Sequence, residues 1–311
     1  MQHTVKRNIQ LTDIGLHSGV ETTMTIKPAK ADTGIVIVRN DVSDRDNKIP
    51  VRYDHVVDTR LCTVVGNKDG VTVGTVEHIM AALRACDIDN AILELDGPEI
   101  PVFDGSSRPF IKAIDVVGIT TLTAPRRALR ILKEVRVEDG DKWVTLKPGV
   151  GSSFDVTIDF DNKSIGTQNA KLDLYTQDFE SQMSDARTFG FLHEVNALRQ
   201  QGLALGGSLE NAVVIDGDKI MNPEGTRYEN EFARHKLLDA VGDIYLAGGV
   251  ILGAYESFKA GHAMNNKALR ALFADPTSFE IVDLFIDREI LPMSCTQMSK
   301  EQEKAETIAA E

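Results

Sequence analysis

The chain has 311 residues, of which 42% are hydrophobic and 26% charged, so it has a globular composition and length enough for two ordinary domains. Its formal net charge of −13 at pH 7 argues against nonspecific nucleic-acid binding, which needs a basic surface that displaces counterions from phosphates. A small phosphate-bearing ligand remains compatible with this charge if lysines or arginines cluster locally. We therefore expect no nucleic-acid partner.

The sequence also lacks the marks of a membrane or secreted protein. No apolar run approaches the roughly 20 residues that a transmembrane helix needs. The first residues, MQHTVKRNIQLTDIG, have no apolar core of a secretory signal. The three cysteines, Cys62, Cys86 and Cys295, are widely spaced without a C-x-x-C pair, which argues against a disulfide framework. We predict a cytoplasmic protein without a transmembrane segment.

The first half of the chain alternates between strand-like and helical patterns. Period-two alternation with β-branched residues predicts strands at 20–29 and 34–40. In TVEHIMAAL, residues 75–83, apolar residues recur at helical spacing, and Thr75 has the chemistry of an N-cap. This segment is therefore predicted to be a helix, and residues 90–95 after it a strand.

The second half repeats this coarse order. Residues 130–148 predict two strands joined by a hairpin, and 153–160 alternates as another strand. Residues 228–247, YENEFARHKLLDAVGDIYLA, form the clearest helical pattern and precede a strand, a loop and a further helix. In both halves, a helix with a histidine near its start precedes a strand and a glycine-containing loop. This order is compatible with duplication, although it is common in unrelated folds.

A composition shift at 120–130, where Pro125 and three arginines occur together, marks the predicted domain boundary. We predict an N-terminal domain at 1–124, a C-terminal domain at 125–298 and a polar tail at 299–311.

The helix at 228–247 carries a polar stripe. His235, Asp239 and Asp243 fall at i, i+4 and i+8, which places them on one face. The rest of the helix is apolar and is therefore expected to be buried. Burial of unpartnered polar groups costs several kcal/mol, so the stripe needs a metal, a cation or a hydrogen-bond network. A simple His–Asp pair is the alternative.

A second candidate favours the metal. Glu77 and His78 begin an otherwise apolar helix. Two histidines and one carboxylate form a common catalytic zinc set with an open position for water, and a neighbouring carboxylate can accept the proton of that water. We therefore predict a zinc-dependent amide hydrolase with ligands His78, His235 and Asp239 and the base Glu77. The same ligands suit iron(II) in an oxygenase, and a non-catalytic metal-stabilised binding module is a third interpretation.

The sequence context of the other histidines suggests different roles for them. His262 follows a predicted buried strand, where functional residues are common, although a turn role is an equal alternative. His17, in GLHSG, is interpreted as structural. No H-E-x-x-H motif is present, which argues against an ordinary zincin protease.

Six strings, in order and at the expected spacing over about residues 3–290, resemble the bacterial UDP-3-O-acyl-N-acetylglucosamine deacetylase family. They are TVEHIMAAL (75–83), DGPEIPVFDGSS (96–107), ARTFGF (186–191), GLALGGSLENAVV (202–214), RHKLLDAVGD (234–243) and AGHAMNNK (260–267).

The resemblance implies a cytoplasmic deacetylase that releases acetate from UDP-3-O-((R)-3-hydroxyacyl)-N-acetylglucosamine, the committed step of lipid A biosynthesis in Gram-negative bacteria. It implies an α+β fold of two domains with related topology, each a β-sheet with two helices. The helix layers would pack between the sheets, with one insert per domain, near 50–74 and near 190–215. We further expect a monomer.

The resemblance also implies roles for individual residues. His78, His235 and Asp239 would hold Zn²⁺, with Fe²⁺ as the alternative ion, and Glu77 would be the general base. His262 would be the second catalytic histidine, with the carboxylate of Asp243 as its partner. The hydroxyl of Thr188 would help to hold the tetrahedral intermediate.

The remaining implied residues contact the substrate. Asp159 and Phe160 match a uracil site, Lys142 and Lys259 would meet the diphosphate, and Lys236 would contact the substrate near the metal. An apolar passage for the acyl chain would be lined by Leu203, Leu209 and Val214. For Lys142 and Lys259 a solvated surface role is the alternative, and for the passage a plain buried strand pair.

Overall fold

In the computed structural model, residues 1–284 are described. The predictions for 285–298 and for the tail at 299–311 lie outside the described residues. The strands of the first half are β1 (His3–Val5), β2 (Ile9–Ile14), β3 (Glu21–Pro28), β4 (Ile35–Arg39), β5 (Lys48–Pro50), β6 (Val56–Asp58), β7 (Val64–Gly66), β8 (Thr72–Val73), β9 (Ala91–Leu95) and β10 (Ile119–Thr121). Its helices are α1 (Glu77–Ala85) and α2 (Arg108–Val117), with a 3₁₀ turn at Tyr53–His55.

The first half is built on a five-stranded sheet in the order β2-β3-β9-β4-β5. Strand β9 lies at its centre, parallel to β4 and antiparallel to β3. Alternate residues of β3 and β4 are buried, as their period-two patterns predict. The predicted strands at 20–29, 34–40 and 90–95 are therefore confirmed.

The second half contains β11 (Arg127–Ile131), β12 (Val135–Asp139), β13 (Lys142–Lys147), β14 (Ser152–Asp159), β15 (Thr167–Asp173), β16 (Phe189–Phe191), β17 (Val213–Asp216), β18 (Lys219–Ile220), β19 (Val250–Phe258) and β20 (Phe279–Asp283). Its helices are α3 (Phe179–Gln182), α4 (Leu192–Gln200), α5 (Glu231–Tyr245) and α6 (His262–Ala274).

Seven of these strands form the second sheet, in which β19 is central. Strand β19 runs parallel to β11 and β14 and antiparallel to β13. The predicted hairpin joins β12 to β13, and Gly140 in its turn has the φ of +61° that glycine adopts without strain.

The two halves share a helix–central strand–helix unit, which is α1-β9-α2 in the first and α5-β19-α6 in the second. Helix α1 packs on α5, and nearly every residue of both helices is buried. The predicted α+β class, with related topology and helices between the sheets, is confirmed.

Each half also carries a small three-stranded sheet, β6-β7-β8 in the first and β16-β17-β18 in the second. The first lies within the predicted insert at 50–74. The second, with α4, reaches Ile220, several residues beyond the predicted segment at 190–215. Within residues 1–284, none of the helices combines the length and the apolar character that crossing a membrane requires.

One local prediction was wrong. Thr75 does not cap α1, because that helix begins at Glu77 after Val76, and Val76 itself has helical dihedral angles. Thr75 has a φ of +58°, and its hydroxyl donates a hydrogen bond to Glu99 at 2.7 Å. A distant carboxylate therefore holds this threonine in a conformation that capping statistics do not anticipate.

Candidate active site

The packing of α1 on α5 brings the three predicted metal ligands together. The side chain of His78, from α1, has its Nε2 atom 3.6 Å from Oδ1 of Asp239 on α5. One turn earlier on α5, Nε2 of His235 lies 3.4 Å from the same oxygen. All three residues are buried, and their ligand atoms lie within 4.8 Å of one another.

The hydrogen bonds around these residues leave the ligand atoms free. Nδ1 of His235 lies 3.0 Å from the carbonyl oxygen of Ala186, which can only accept, so Nδ1 carries the proton and Nε2 keeps its lone pair. Lys236 donates to Oδ2 of Asp239 at 2.8 Å, whereas Oδ1 is buried without a hydrogen-bond partner. This arrangement, including the carbonyl behind a ligand histidine, fits a divalent metal ion.

The protonation states also fit a metal. Burial lowers the pKa of His235 to about 3 although Asp239 opposes this shift, so the imidazole is neutral near pH 7. Burial would raise the pKa of Asp239, but His235 and the ammonium of Lys236 hold it well below its usual range. Neutral imidazole and ionised carboxylate are the forms that coordinate a metal.

A second buried cluster, formed by Glu77, Asp243 and His262, adjoins the first. Nδ1 of His262 lies 2.9 Å from Oδ2 of Asp243, and its Nε2 lies 3.7 Å from Oε1 of Glu77. Burial would lower the pKa of His262, but these two carboxylates outweigh it and raise the pKa to about 9. Burial raises the pKa of Glu77, against the influence of His262 and His78. The cluster therefore joins a carboxylate of raised pKa to a histidine that is cationic near pH 7.

The first cluster, together with Glu77 and His262 of the second, lines one cavity of about 330 Å³. Its lining includes most residues that the sequence predicted for chemistry and for the acyl passage: Glu77, His78, Thr188, Leu209, Val214, His235, Lys236, Asp239 and His262. Beyond the ionisable groups, the wall is formed by apolar side chains of α4 and its neighbours, including Leu192, Val195 and Leu198. The cavity therefore has ionisable groups in one part and apolar side chains in the other part, which we call the apolar arm. This combination suits an amphiphilic ligand.

Six of the predicted site residues do not line this cavity: Lys142, Asp159, Phe160, Leu203, Asp243 and Lys259. Leu203 faces a neighbouring cavity of about 360 Å³, which it shares with Cys62 and His17. Lys259 is ion-paired with Asp141 at 2.9 Å and Asp159 at 3.0 Å.

Phe160 nevertheless connects this lysine–aspartate group to the cavity. Its ring lies 5.8 Å from the ring of Phe189, which lines the cavity. Lys142 is exposed at the start of β13, outside the cavity wall.

Two residues at the site were not predicted from the sequence to belong to it. Thr63 bonds to both Glu77 and Asp243. His17, interpreted as structural, lines the cavity with its Nδ1 buried and without a hydrogen-bond partner. The only local sequence feature that marked His17 was the pair of glycines in GLHSG. The carboxylate that holds this turn belongs to Glu99, which is distant in the sequence.

Comparison with known proteins agrees with this geometry. Residues 2–274 match the family model described as "LpxC: UDP-3-O-acyl N-acetylglycosamine deacetylase". The chain belongs to the LpxC family.

Curated relatives of this LpxC family chain span nearly its whole length. A UDP-3-O-acyl-N-acetylglucosamine deacetylase from Phenylobacterium zucineum is 50% identical over 280 residues, which cover 90% of this chain and 96% of the relative. An enzyme of the same name from Shewanella violacea is 48% identical over 290 residues, covering 93% and 94%. The iron(II) oxygenase alternative finds no support in these matches.

Proposed function

We propose that this chain hydrolyses the N-acetyl group of UDP-3-O-((R)-3-hydroxyacyl)-N-acetylglucosamine to acetate and the free amine, in lipid A biosynthesis. Membership of the LpxC family supports the substrate. The structural observation that carries the proposal is the pair of buried clusters on one cavity, a metal-ligand triad beside a carboxylate and a cationic histidine.

We assign the metal ligands to His78, His235 and Asp239. The free ligand atoms and the protonation states described above support this assignment. Two imidazoles and a carboxylate suit Zn²⁺, and Fe²⁺ is the alternative ion for the same hydrolysis. Such an ion, when bound, polarises the acetamide carbonyl and lowers the pKa of a coordinated water.

Glu77 accepts a proton from the water that attacks the carbonyl carbon. Its Oε2 is held by the main-chain N–H of Thr63 at 3.0 Å, so Oε1 is left toward the cavity. The pKa of Glu77 is raised by burial, which makes its carboxylate a stronger base than an exposed glutamate.

His262 is the proton donor of the reaction. As the carbon–oxygen bond forms and the carbon–nitrogen bond breaks, the departing nitrogen must gain a proton, and protonated His262 donates it from Nε2. Asp243 keeps the imidazole cationic and turns Nε2 toward Glu77 and the cavity. The hydroxyl of Thr188, a residue that lines the same cavity, stabilises the oxygen that becomes negative.

The rest of the substrate extends in two directions from this centre. The acyl chain occupies the apolar arm beside Leu209 and Val214. The nucleotide lies toward the aromatic ring of Phe160 and the Lys259–Asp159 pair, with Lys142 beyond and Lys236 near the sugar. An anionic diphosphate would compete with Asp159 and Asp141 for Lys259.

Cellular context follows from the same reaction. A substrate built on UDP indicates a cytoplasmic enzyme, and the net charge of −13 indicates no nucleic-acid partner. We propose a monomer, because each copy of the chain itself supplies all the residues assigned to the reaction.

The deciding experiment measures acetate release from the UDP-linked acylated sugar by the purified full chain. Release that stops after chelation and returns with added Zn²⁺ or Fe²⁺ is the expected result. Glu77→Gln, assayed at matched metal content, serves as the inactive control. Failure of the metal-loaded wild-type chain to release acetate would overturn the proposal.

A further inference from the structure

Thr63 occupies an unusual position between the two proton-handling groups. It lies between β6 and β7 of the small sheet in the first half and is only 2% exposed. Its main-chain N–H donates to Oε2 of Glu77 at 3.0 Å, and its hydroxyl donates to Oδ1 of Asp243 at 2.6 Å. Thr63 does not line the cavity, so it reaches the reaction only through these two carboxylates.

The other contacts of Asp243 show what the hydroxyl does. Oδ2 of Asp243 meets Nδ1 of His262 and also accepts a hydrogen bond from Nδ2 of Asn265, both at 2.9 Å. The hydroxyl of Tyr255 donates to Oδ1 of Asn265 at 2.6 Å, which fixes the orientation of that amide. Oδ1 of Asp243 has Thr63 as its hydrogen-bond donor, so that bond sets the rotation of the carboxylate.

We infer that Thr63 is a positioning residue for the deacetylation, an inference that rests on the proposed function. Its hydroxyl orients Asp243 so that Oδ2 meets His262, while its N–H orients Glu77. Because Asp243 belongs to the second half and Glu77 to the first, one residue aligns the proton acceptor of one half with the proton donor of the other.

The physical reason lies in burial. Without the hydroxyl, Oδ1 of Asp243 becomes a charged oxygen buried without a partner, and the carboxylate turns to recover a donor. That rotation takes Oδ2 away from Nδ1 of His262, which then no longer presents Nε2 at its present distance from Glu77. The defect falls on proton delivery, whereas the substrate contacts on the cavity wall are unchanged.

Thr63→Val tests the hydroxyl alone, because valine keeps the shape and the N–H that holds Glu77. We expect kcat to fall roughly 10- to 100-fold, as for the loss of one buried hydrogen bond to a charged group, with KM little changed. Thr63→Ser, which restores a hydroxyl, should recover most of the loss. Thr145→Val, at a buried threonine of β13 that accepts a bond from Arg136, is the matched control for threonine-to-valine packing changes.

A double-mutant cycle separates positioning from simple loss of structure. If Thr63 acts through Asp243, then Thr63→Val combined with Asp243→Asn should be no slower than Asp243→Asn alone. Additive losses, no rescue by Thr63→Ser, or unchanged kcat in Thr63→Val would each overturn the inference. The wild-type chain is assayed in parallel, and its failure to release acetate would instead overturn the proposed function.

Discussion

Gly242 of α5 lies directly against the main-chain carbonyl of Glu77 on α1. A Cβ atom at residue 242 would stand 2.0 Å from that oxygen and 2.8 Å from its carbon. The missing side chain therefore sets how closely the two helices approach. The approach in turn determines that His78 of one helix meets Asp239 of the other.

Gly242→Ala is expected to force α1 and α5 apart and to lower both stability and metal affinity. Overpacking of this kind costs about 1–3 kcal/mol or more when backbone must move. Thermal unfolding and metal titration of the variant would measure the two effects. Gly261→Ala is the control, since a Cβ there meets open space and the φ of −146° suits any residue. An unchanged metal affinity in Gly242→Ala would contradict the dependence of the site on this contact.

Glu77→Gln should lower kcat by about 100- to 10,000-fold, the range of a lost general base. Glutamine keeps an oxygen that can accept from the N–H of Thr63, so the local fold is expected to persist. Metal analysis of the same preparation should find the wild-type content. Loss of the ion together with activity would mean that Glu77 is itself a ligand.

The pH dependence should report the His262–Asp243 pair. Because the pKa of His262 is raised to about 9, the cationic form persists up to that pH and the basic limb of kcat/KM is expected there. Asp243→Asn removes the largest opposing influence, so burial should carry the pKa and the basic limb downward. A basic limb that stays in place in this variant would show that another group sets it.

The same pair links pH to stability. The pKa of His262 in the folded chain is raised above its ordinary value of 6.5. Its stabilising contribution is therefore complete below about pH 6.5 and disappears as pH rises through about 9. The difference in melting temperature between the wild type and His262→Gln should accordingly shrink from pH 6 to pH 10. A constant difference over that range would contradict the assigned direction of the shift.

Asp239→Asn should weaken metal binding by more than roughly 10- to 100-fold, which is the loss of affinity when a residue hydrogen-bonded to a metal ligand is removed. Asparagine preserves size but removes the negative charge that a divalent cation needs among its ligands. Metal analysis after aerobic and anaerobic purification would give both occupancy and the identity of the ion. The exposed Asp44→Asn provides a charge-matched control. Full occupancy in Asp239→Asn would remove this residue from the ligand set.

Val214→Trp is expected to shorten the apolar arm of the cavity. The value of kcat/KM should then fall for long-acyl substrates and remain nearly unchanged for short-acyl analogues, because only the long chain needs the filled space. Leu203→Trp should leave this chain-length dependence as in the wild type, since Leu203 faces the neighbouring cavity. Equal losses for short and long substrates in Val214→Trp would argue against an acyl passage there.

Local periodicity allowed much of the site to be predicted from the sequence. The i, i+4 spacing of His235 and Asp239 defines a helix face without reference to any other element. The apolar surroundings of Glu77 and His78 marked them as buried for the same reason. The strands on either side of Gly140 could also be predicted, because a turn and an alternating pattern are both defined by residues that are neighbours in the sequence.

How these pieces combine depends on contacts between elements that are distant in the sequence. The polar stripe of α5 divides, so that Asp239 faces His78 whereas Asp243 turns to His262 and Thr63. No spacing along one helix predicts that division, because it depends on which groups α1, α6 and the small sheet present to it.

The glycine contact at residue 242 and the bridge through Thr63 have the same origin. Each joins segments that lie 14 to 180 residues apart, and each depends on distances of a few ångströms set by packing. Local sequence patterns predicted the main helices and strands and supplied the residue types available for catalysis. The packing of α1 on α5 brings His78 to Asp239, beside His235, and brings Glu77 close to His262, because contacts between distant segments exist only once the core is assembled.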